Sequence, residues 1–215
     1  HEEGHAIEGL SVEDHDPVYK ITIIPRGIAL GLTMFLPEQD RYSFSKRRLV
    51  SQITSLFGGR AAEELIFGKD SVTTGASNDI EKATDIARKM VTKWGLSDRL
   101  GPLTYIEDEG EVFLGRSVTQ HKQVSDITVK TIDEEVRRII DQSYQDAAKI
   151  LKTNIKRLHK MAAALIKYET LDENQIGDIM KDKEPKPPEG WDQNDVSSDG
   201  DGKKRDIILG DHATQ

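Results

Sequence analysis

Apolar residues in this chain recur mostly at helical spacing, and one early region runs apolar in the manner of strands. Residues 1 to about 12 read as the end of a helix, closed by the polar run Glu13-Asp14-His15-Asp16-Pro17. Val18-Tyr19-Lys20-Ile21-Thr22-Ile23-Ile24 is β-branched and apolar and predicts a strand. Pro25-Arg26-Gly27 is a turn signal, and residues 28–36 predict a second strand, so the pair is a candidate hairpin. Helical period returns at Ser45 and runs through Leu49, Ile53, Leu56, Phe57, Ala61, Leu65 and Ile66 to a stop at Gly68. Gly58-Gly59 inside that stretch admits close approach of another element.

Residues 69–77 form a loop rich in Ser, Thr and Gly, and a helix is predicted from Asn78 through Ile80, Ala83, Ile86, Ala87 and Met90 to Trp94, with Gly95 as its stop. Residues 96–120 read as irregular, with short strands at 103–106 and 111–114. From about Gln123 a long helical period follows Ile127, Ile132, Val136, Ile139, Tyr144, Ala147, Leu151, Leu158, Ala162 and Leu165, with a break near Thr153-Asn154. A short helix is predicted over 172–181. Leu151, Leu158 and Leu165 repeat every seven residues, but three leucines fall short of sustained heptads and read as one face of a helix packed within the domain. The pattern predicts a mostly α fold with a small β-hairpin and a C-terminal helical bundle. Residues 1–120 form its core, 121–182 a helical part of the same domain, and 183–215, rich in Pro, Gly, Asp, Ser and Lys, a disordered tail.

Composition narrows the chemistry. The 215 residues carry 38 acidic and 30 basic side chains, a net charge of −8, which argues against a nucleic-acid partner. There is no cysteine, so disulfides and thiolate metal sites are excluded, and any metal must be held by His, Asp or Glu. No apolar run reaches the roughly 18 residues that span a bilayer. The chain opens on His1 and not on Met, and reads as a piece of a longer polypeptide.

His1-Glu2-Glu3-Gly4-His5 supplies the candidate site. On a helix, residues four apart share a face, so His1 and His5 can reach one ion. Glu2 lies about 100° round from His1, close enough to hold a water beside that ion. Two neutral nitrogen ligands, an open position and an adjacent carboxylate are the parts of a catalytic zinc site, with Glu2 as general base. A chance match is improbable in a chain with six histidines. A third protein ligand is expected, and no third His stands at the short downstream spacing of a metzincin. Glu63, Glu64 and Asp79 are the carboxylate candidates, and spacing does not choose among them. Asp79 also has a plain reading as an acidic residue at a helix start, and Glu63 and Glu64 as surface charges beside Arg60. His15, His121, His159 and His212 show no partner at ligand spacing and read as surface residues. The second strand offers an edge to which an extended peptide could add through main-chain hydrogen bonds, or is a structural hairpin only.

These motifs resemble the FtsH family of ATP-dependent membrane proteases, in wording close to the proteobacterial members. The resemblance rests on His1-Glu2-Glu3-Gly4-His5-Ala6, on Lys20-Ile21-Thr22-Ile23-Ile24-Pro25-Arg26-Gly27 and on Gly58-Gly59-Arg60-Ala61-Ala62-Glu63-Glu64. It continues through Thr74-Gly75-Ala76-Ser77-Asn78-Asp79, Trp94-Gly95, Gly101-Pro102-Leu103 and Glu111-Val112-Phe113-Leu114-Gly115-Arg116. About residues 1–191 are covered. Glu3 departs from the pattern, since the family commonly has a small residue there. The resemblance implies a zincin-like peptidase domain in which His1, His5 and Asp79 bind Zn2+ and Glu2 is catalytic, leaving Glu63 and Glu64 in supporting roles. It further implies a homohexamer anchored at the cytoplasmic face of the bacterial inner membrane. Such an assembly degrades misfolded and regulatory proteins, membrane-bound and soluble, among them unfolded or tagged substrates, with membrane-embedded regulatory partners. ATP and Mg2+ are expected only at an ATPase module upstream of the residues at hand.

Overall fold

The computed structural model describes residues 1–25, 27, 30–37, 42–105 and 124–188. The chain divides into two units, His1–Pro185 and Lys186–Gln215, and the fold set out below is that of the first.

Helices follow the apolar stripes, and three of those described begin at side-chain caps. The first helix, α1, spans Glu2–Ser11. Ser45 opens α2 (Lys46–Leu56) by accepting a bond from the Arg48 N–H, and Ser125 opens α5 (Asp126–Thr153) by accepting one from Thr128. The region predicted as one helix from Ser45 to Gly68 is two. Its second half, α3 (Gly58–Phe67), starts anew after Phe57. The reason lies in the contact with α1. A Cβ on Gly4 would overlap the Gly58 carbonyl oxygen, and one on Gly58 would lie 2.6 Å from the Gly4 carbonyl carbon. The two backbones touch, which only glycine allows.

The α4 helix (Ser77–Thr92) follows a loop of two short 3-10 turns. The long C-terminal period breaks where predicted, at Asn154, into α5 and α6 (Ile155–Tyr168). Leu151, Leu158 and Leu165 are all buried in the core of the domain, as an intradomain helix face requires. The last helix, α7 (Glu173–Met180), is held by a capping box in which Asp172 and Gln175 satisfy each other's backbone N–H.

Two predicted strands form an antiparallel pair, β1 (Val18–Thr22) and β2 (Leu32–Phe35), with Val18 opposite Phe35 and Thr22 opposite Leu32. The expected hairpin is one strand short of the sheet found. A third strand, β3 (Thr170–Asp172), pairs with β1 through Ile21 and Leu171, giving the order β2-β1-β3. Three residues are too few to leave a periodic signal. The strand expected at 103–106 is absent from 103–105, where Tyr105 donates its N–H to the Thr92 carbonyl (2.7 Å). The strand at 111–114 and nearly all of the expected tail lie outside the described residues.

Helix α1 packs on α2, α3, α5 and α6 and on both strands of the hairpin. Ala6 and Ile7 are fully buried as a result, and a side chain such as Ile7 contributes roughly 1.5–3 kcal/mol by leaving water. A helix enclosed on so many sides is a rigid platform for whatever its first turn presents.

Candidate active site

His1 and His5 sit one turn apart at the start of α1, and Asp79 sits in the first turn of α4. Their donor atoms converge. His1 Nε2 lies 3.2 Å from His5 Nε2. Asp79 Oδ2 lies 3.5 Å from the first and 3.4 Å from the second. Among the described residues this is the one group of three or more metal-binding side chains with donors so close together. A tetrahedral zinc about 2.0–2.1 Å from each donor would hold its ligands about 3.3 Å apart. The triangle fits that size, and its two nitrogens and one oxygen suit zinc.

Each imidazole is fixed by the nitrogen that does not face the triangle. His5 Nδ1 bonds the Ser55 carbonyl at 2.9 Å, and a carbonyl can only accept. The proton therefore sits on Nδ1 and the Nε2 lone pair faces inward. His1 Nδ1 donates likewise to Glu63 Oε1 at 2.8 Å. Such outer bonds orient ligand rings and fix their tautomer. Room for His1 comes from Gly59, where a Cβ would stand 2.5 Å from the ring atoms Cε1 and Nε2.

Glu63 does more than orient His1. Its other oxygen accepts the backbone N–H of Thr73 at 3.0 Å and the Thr73 hydroxyl at 3.2 Å. Thr73 Oγ1 in turn accepts from Gly75 N–H, and Arg60 donates to the Thr73 carbonyl at 3.1 Å. One carboxylate thus joins α1 to the loop that delivers Asp79. Glu64 points elsewhere, taking a bond from the Tyr144 hydroxyl on α5.

The electrostatics favour positive charge at the centre. Asp79 above all, with Glu63 and Glu2, holds the His1 pKa up to about 9 against the opposing effect of burial. Burial alone would raise the Asp79 pKa, yet bonds to His1 and His5 take it far below the usual carboxylate range. Burial likewise opposes ionisation of Glu63, and the Thr73 N–H and His1 outweigh it. Ionised carboxylates around two imidazoles make a field that a divalent cation would complete.

Glu2 lies against β2. Its Oε2 and its backbone carbonyl each lie 2.8 Å from the Thr33 hydroxyl. The four residues open a cleft of about 970 Å³ that runs past Gly31, Thr33 and Phe35 toward Arg48. Strand β2 is an edge of the sheet, so one row of its main-chain groups is unpaired by β1. His15 was expected on the surface. It is half-buried at the far end of the cleft, edge-on to the Phe35 ring at 4.5 Å, with Nδ1 bonded to the Asp16 carbonyl. His159 is exposed as expected, and His121 and His212 lie outside the described residues. Sequence spacing could not have found Thr33 or Thr73, because their roles arise from strand and loop packing 31 and 10 residues from their partners.

A His-Glu-x-x-His helix with a converging carboxylate defines a metallopeptidase of the zinc-dependent type. The sequence matches peptidase family M41 over residues 1–179, and the chain belongs to that family. It is 60% identical to the "ATP-dependent zinc metalloprotease FtsH" of Photobacterium profundum, over 91% of this chain and 28% of that protein. The protein of the same name from Buchnera aphidicola subsp. Schizaphis graminum is 57% identical over 93% of this chain and 32% of its own length. That from Haemophilus influenzae is 56% identical over 89% of this chain and 30% of its own. The chain therefore spans about a third of the length of these curated relatives. No described helix is long and apolar enough to cross a membrane.

Proposed function

We propose that this chain is the peptide-hydrolysing part of an ATP-dependent zinc protease, with His1, His5 and Asp79 as zinc ligands and Glu2 as general base. The observation that carries the reading is the triangle of donors with edges of 3.2, 3.5 and 3.4 Å. Zinc held there would supply Lewis acidity, polarising the scissile carbonyl and acidifying water within its reach. Glu2 takes the proton from the attacking water on Oε1, which makes no hydrogen bond among the described residues, and passes it to the leaving amine nitrogen. No residue forms a covalent bond to the substrate. His1 and His5 are held through Nδ1 by Glu63 and the Ser55 carbonyl, so their rings are already oriented, and a metal at the inward nitrogens would displace the second proton that His1 carries without it. The edge of β2 away from β1, which no described strand covers, takes the substrate main chain as an added strand, which binds extended chains with little regard to sequence. Only unfolded segments can comply, which suits a protease fed by an unfolding motor.

The relatives' name supports dependence on ATP, and the share of their length beyond this chain is ample for an ATPase module and a membrane anchor. A homohexamer at the cytoplasmic face of the inner membrane, acting on misfolded and regulatory proteins, belongs to the same proposal. So does the division of the chain into a core over 1–120, a helical part over 121–182 and a tail from 183. The test is cleavage of unfolded casein by the intact protein with ATP, before and after stripping with a zinc chelator. Activity should vanish and return with about one zinc equivalent per chain. Full activity in the stripped protein would end the zinc reading.

A further inference from the structure

One face of β2 runs along α1. Residues 31, 33 and 35 alternate with 32 and 34, and all three meet the helix. A Cβ on Gly31 would lie 2.7 Å from Glu2 Cγ and 3.0 Å from Glu2 Oε1. The Thr33 hydroxyl reaches the Glu2 carboxylate and the Glu2 carbonyl at 2.8 Å each. Phe35 fills the space that a side chain at Gly9 would need. The strand is thus a rail along the helix, and Glu2 is the residue it grips most closely.

A glutamate in the first turn of a helix has three side-chain torsions and several rotamers open to it. Gly31 closes part of that space by bringing backbone against Cγ. Thr33 selects what remains with a directed bond. Its hydroxyl has a single proton for two acceptors, the carboxylate oxygen and the main-chain oxygen of the same residue. The ionised carboxylate is the stronger acceptor of the two and takes the larger share of that proton, so the Glu2 side chain stays referenced to one atom of β2. The β-branched side chain is itself stiff at χ1, so the reference point does not wander.

We propose that Thr33 is the positioning residue for the general base, holding the Glu2 carboxylate at a fixed place relative to the strand edge on which a substrate lies. The substrate's main chain and the base then share one ruler: hydrogen bonds on the edge of β2 set where the scissile bond stands, and Thr33 on its face sets where the proton acceptor stands. This rests on the reading of Glu2 as base given above, and the experiment separates the two.

The experiment compares Thr33→Val, Thr33→Ser and Glu2→Gln in the intact, zinc-loaded protein. Steady-state kinetics are measured on a fluorogenic peptide, with zinc content and melting temperature in parallel. Valine keeps the shape and strand preference of threonine and removes the hydroxyl. It should lower kcat by about ten- to a hundredfold, the scale on which small misplacements of a reacting group act. KM should stay within about twofold, because the hydroxyl orients the base and does not bind substrate. Zinc content should be unchanged. Serine keeps the hydroxyl and should recover kcat to within about threefold of wild type. Adding Thr33→Val to Glu2→Gln should cost nothing further, since the group it positions is gone. Wild-type kcat in Thr33→Val, with Glu2→Gln inert, would overturn the role of Thr33 and leave the base assignment standing. Loss of zinc or of folding in Thr33→Val, or no rescue by serine, would make Thr33 structural and overturn the proposal. Full activity in Glu2→Gln would instead remove the base on which the proposal stands.

Discussion

Glu8 offers a test of the fold that owes nothing to the metal. It is fully buried in α1, and among the described residues neither carboxylate oxygen has a hydrogen-bond partner. Burial, with the charge of Asp146 on α5 adding to it, pushes its pKa up to about 9 from an ordinary 4.5. Between those values the folded chain keeps a proton that the unfolded chain has given up. For an acid shifted upward, the folded state carries no penalty below the unfolded pKa and loses stability as pH rises toward the folded one. Each pH unit is worth about 1.4 kcal/mol, so holding Glu8 neutral at pH 7 costs about 3 kcal/mol. Glu8→Gln keeps the shape and cannot titrate. Urea unfolding of both chains, followed by circular dichroism at pH 5, 6, 7 and 8, isolates the effect. The variant's advantage should grow by about 1.4 kcal/mol per unit, and by about 4 kcal/mol over the range. The absolute offset between the chains is immaterial, because glutamine brings its own unmet amide groups and only the slope reports on titration. Parallel pH profiles would refute the reasoning and mean that Glu8 reaches water or a partner.

Other outcomes follow from the site and its surroundings. Asp79→Ala should abolish stoichiometric zinc binding, and Glu63→Gln should weaken it by about ten- to a hundredfold while leaving the fold intact; competition with a chromogenic chelator measures both, and equal affinities would return Glu63 to candidacy as ligand. Gly59→Ala should displace the His1 ring, since its Cβ would stand 2.5 Å from Nε2; zinc retained at full occupancy in that variant would contradict the packing. Burial lowers the His15 pKa below 6.5, so its contribution is present above that pH and is lost as pH falls through it. Stability should therefore fall more steeply between about pH 7 and 5 in wild type than in His15→Asn, and parallel profiles would place His15 in water.

Most of the architecture was legible because helices announce themselves. The stripes of α4, α5 and α6, and the break at Asn154, follow from apolar spacing and from a polar residue at the corner. The first misreading arose where tertiary packing overrides local pattern. The apolar period runs on through Phe57, yet the chain turns there because Gly58 must meet Gly4 backbone to backbone. Strand β3 escaped notice because its three residues are specified by pairing with β1, 148 residues away at Thr22 and Thr170, and not by local alternation. In the site, His1, Glu2 and His5 were legible from spacing alone, as one helical turn fixes their geometry. Asp79 was one of three candidates until a resemblance chose it, since its approach depends on the loop held by Glu63 and Thr73. His15 looked like a surface residue because nothing local reveals that Phe35 covers it.

The most direct measurement is casein cleavage by the intact protein with ATP, wild type against Glu2→Gln, with zinc measured in both. Cleavage by the wild type and none by a fully zinc-loaded variant is the predicted result, because the donors remain and only the proton acceptor is gone. Comparable cleavage by the two, at equal zinc content, would contradict the account at its centre.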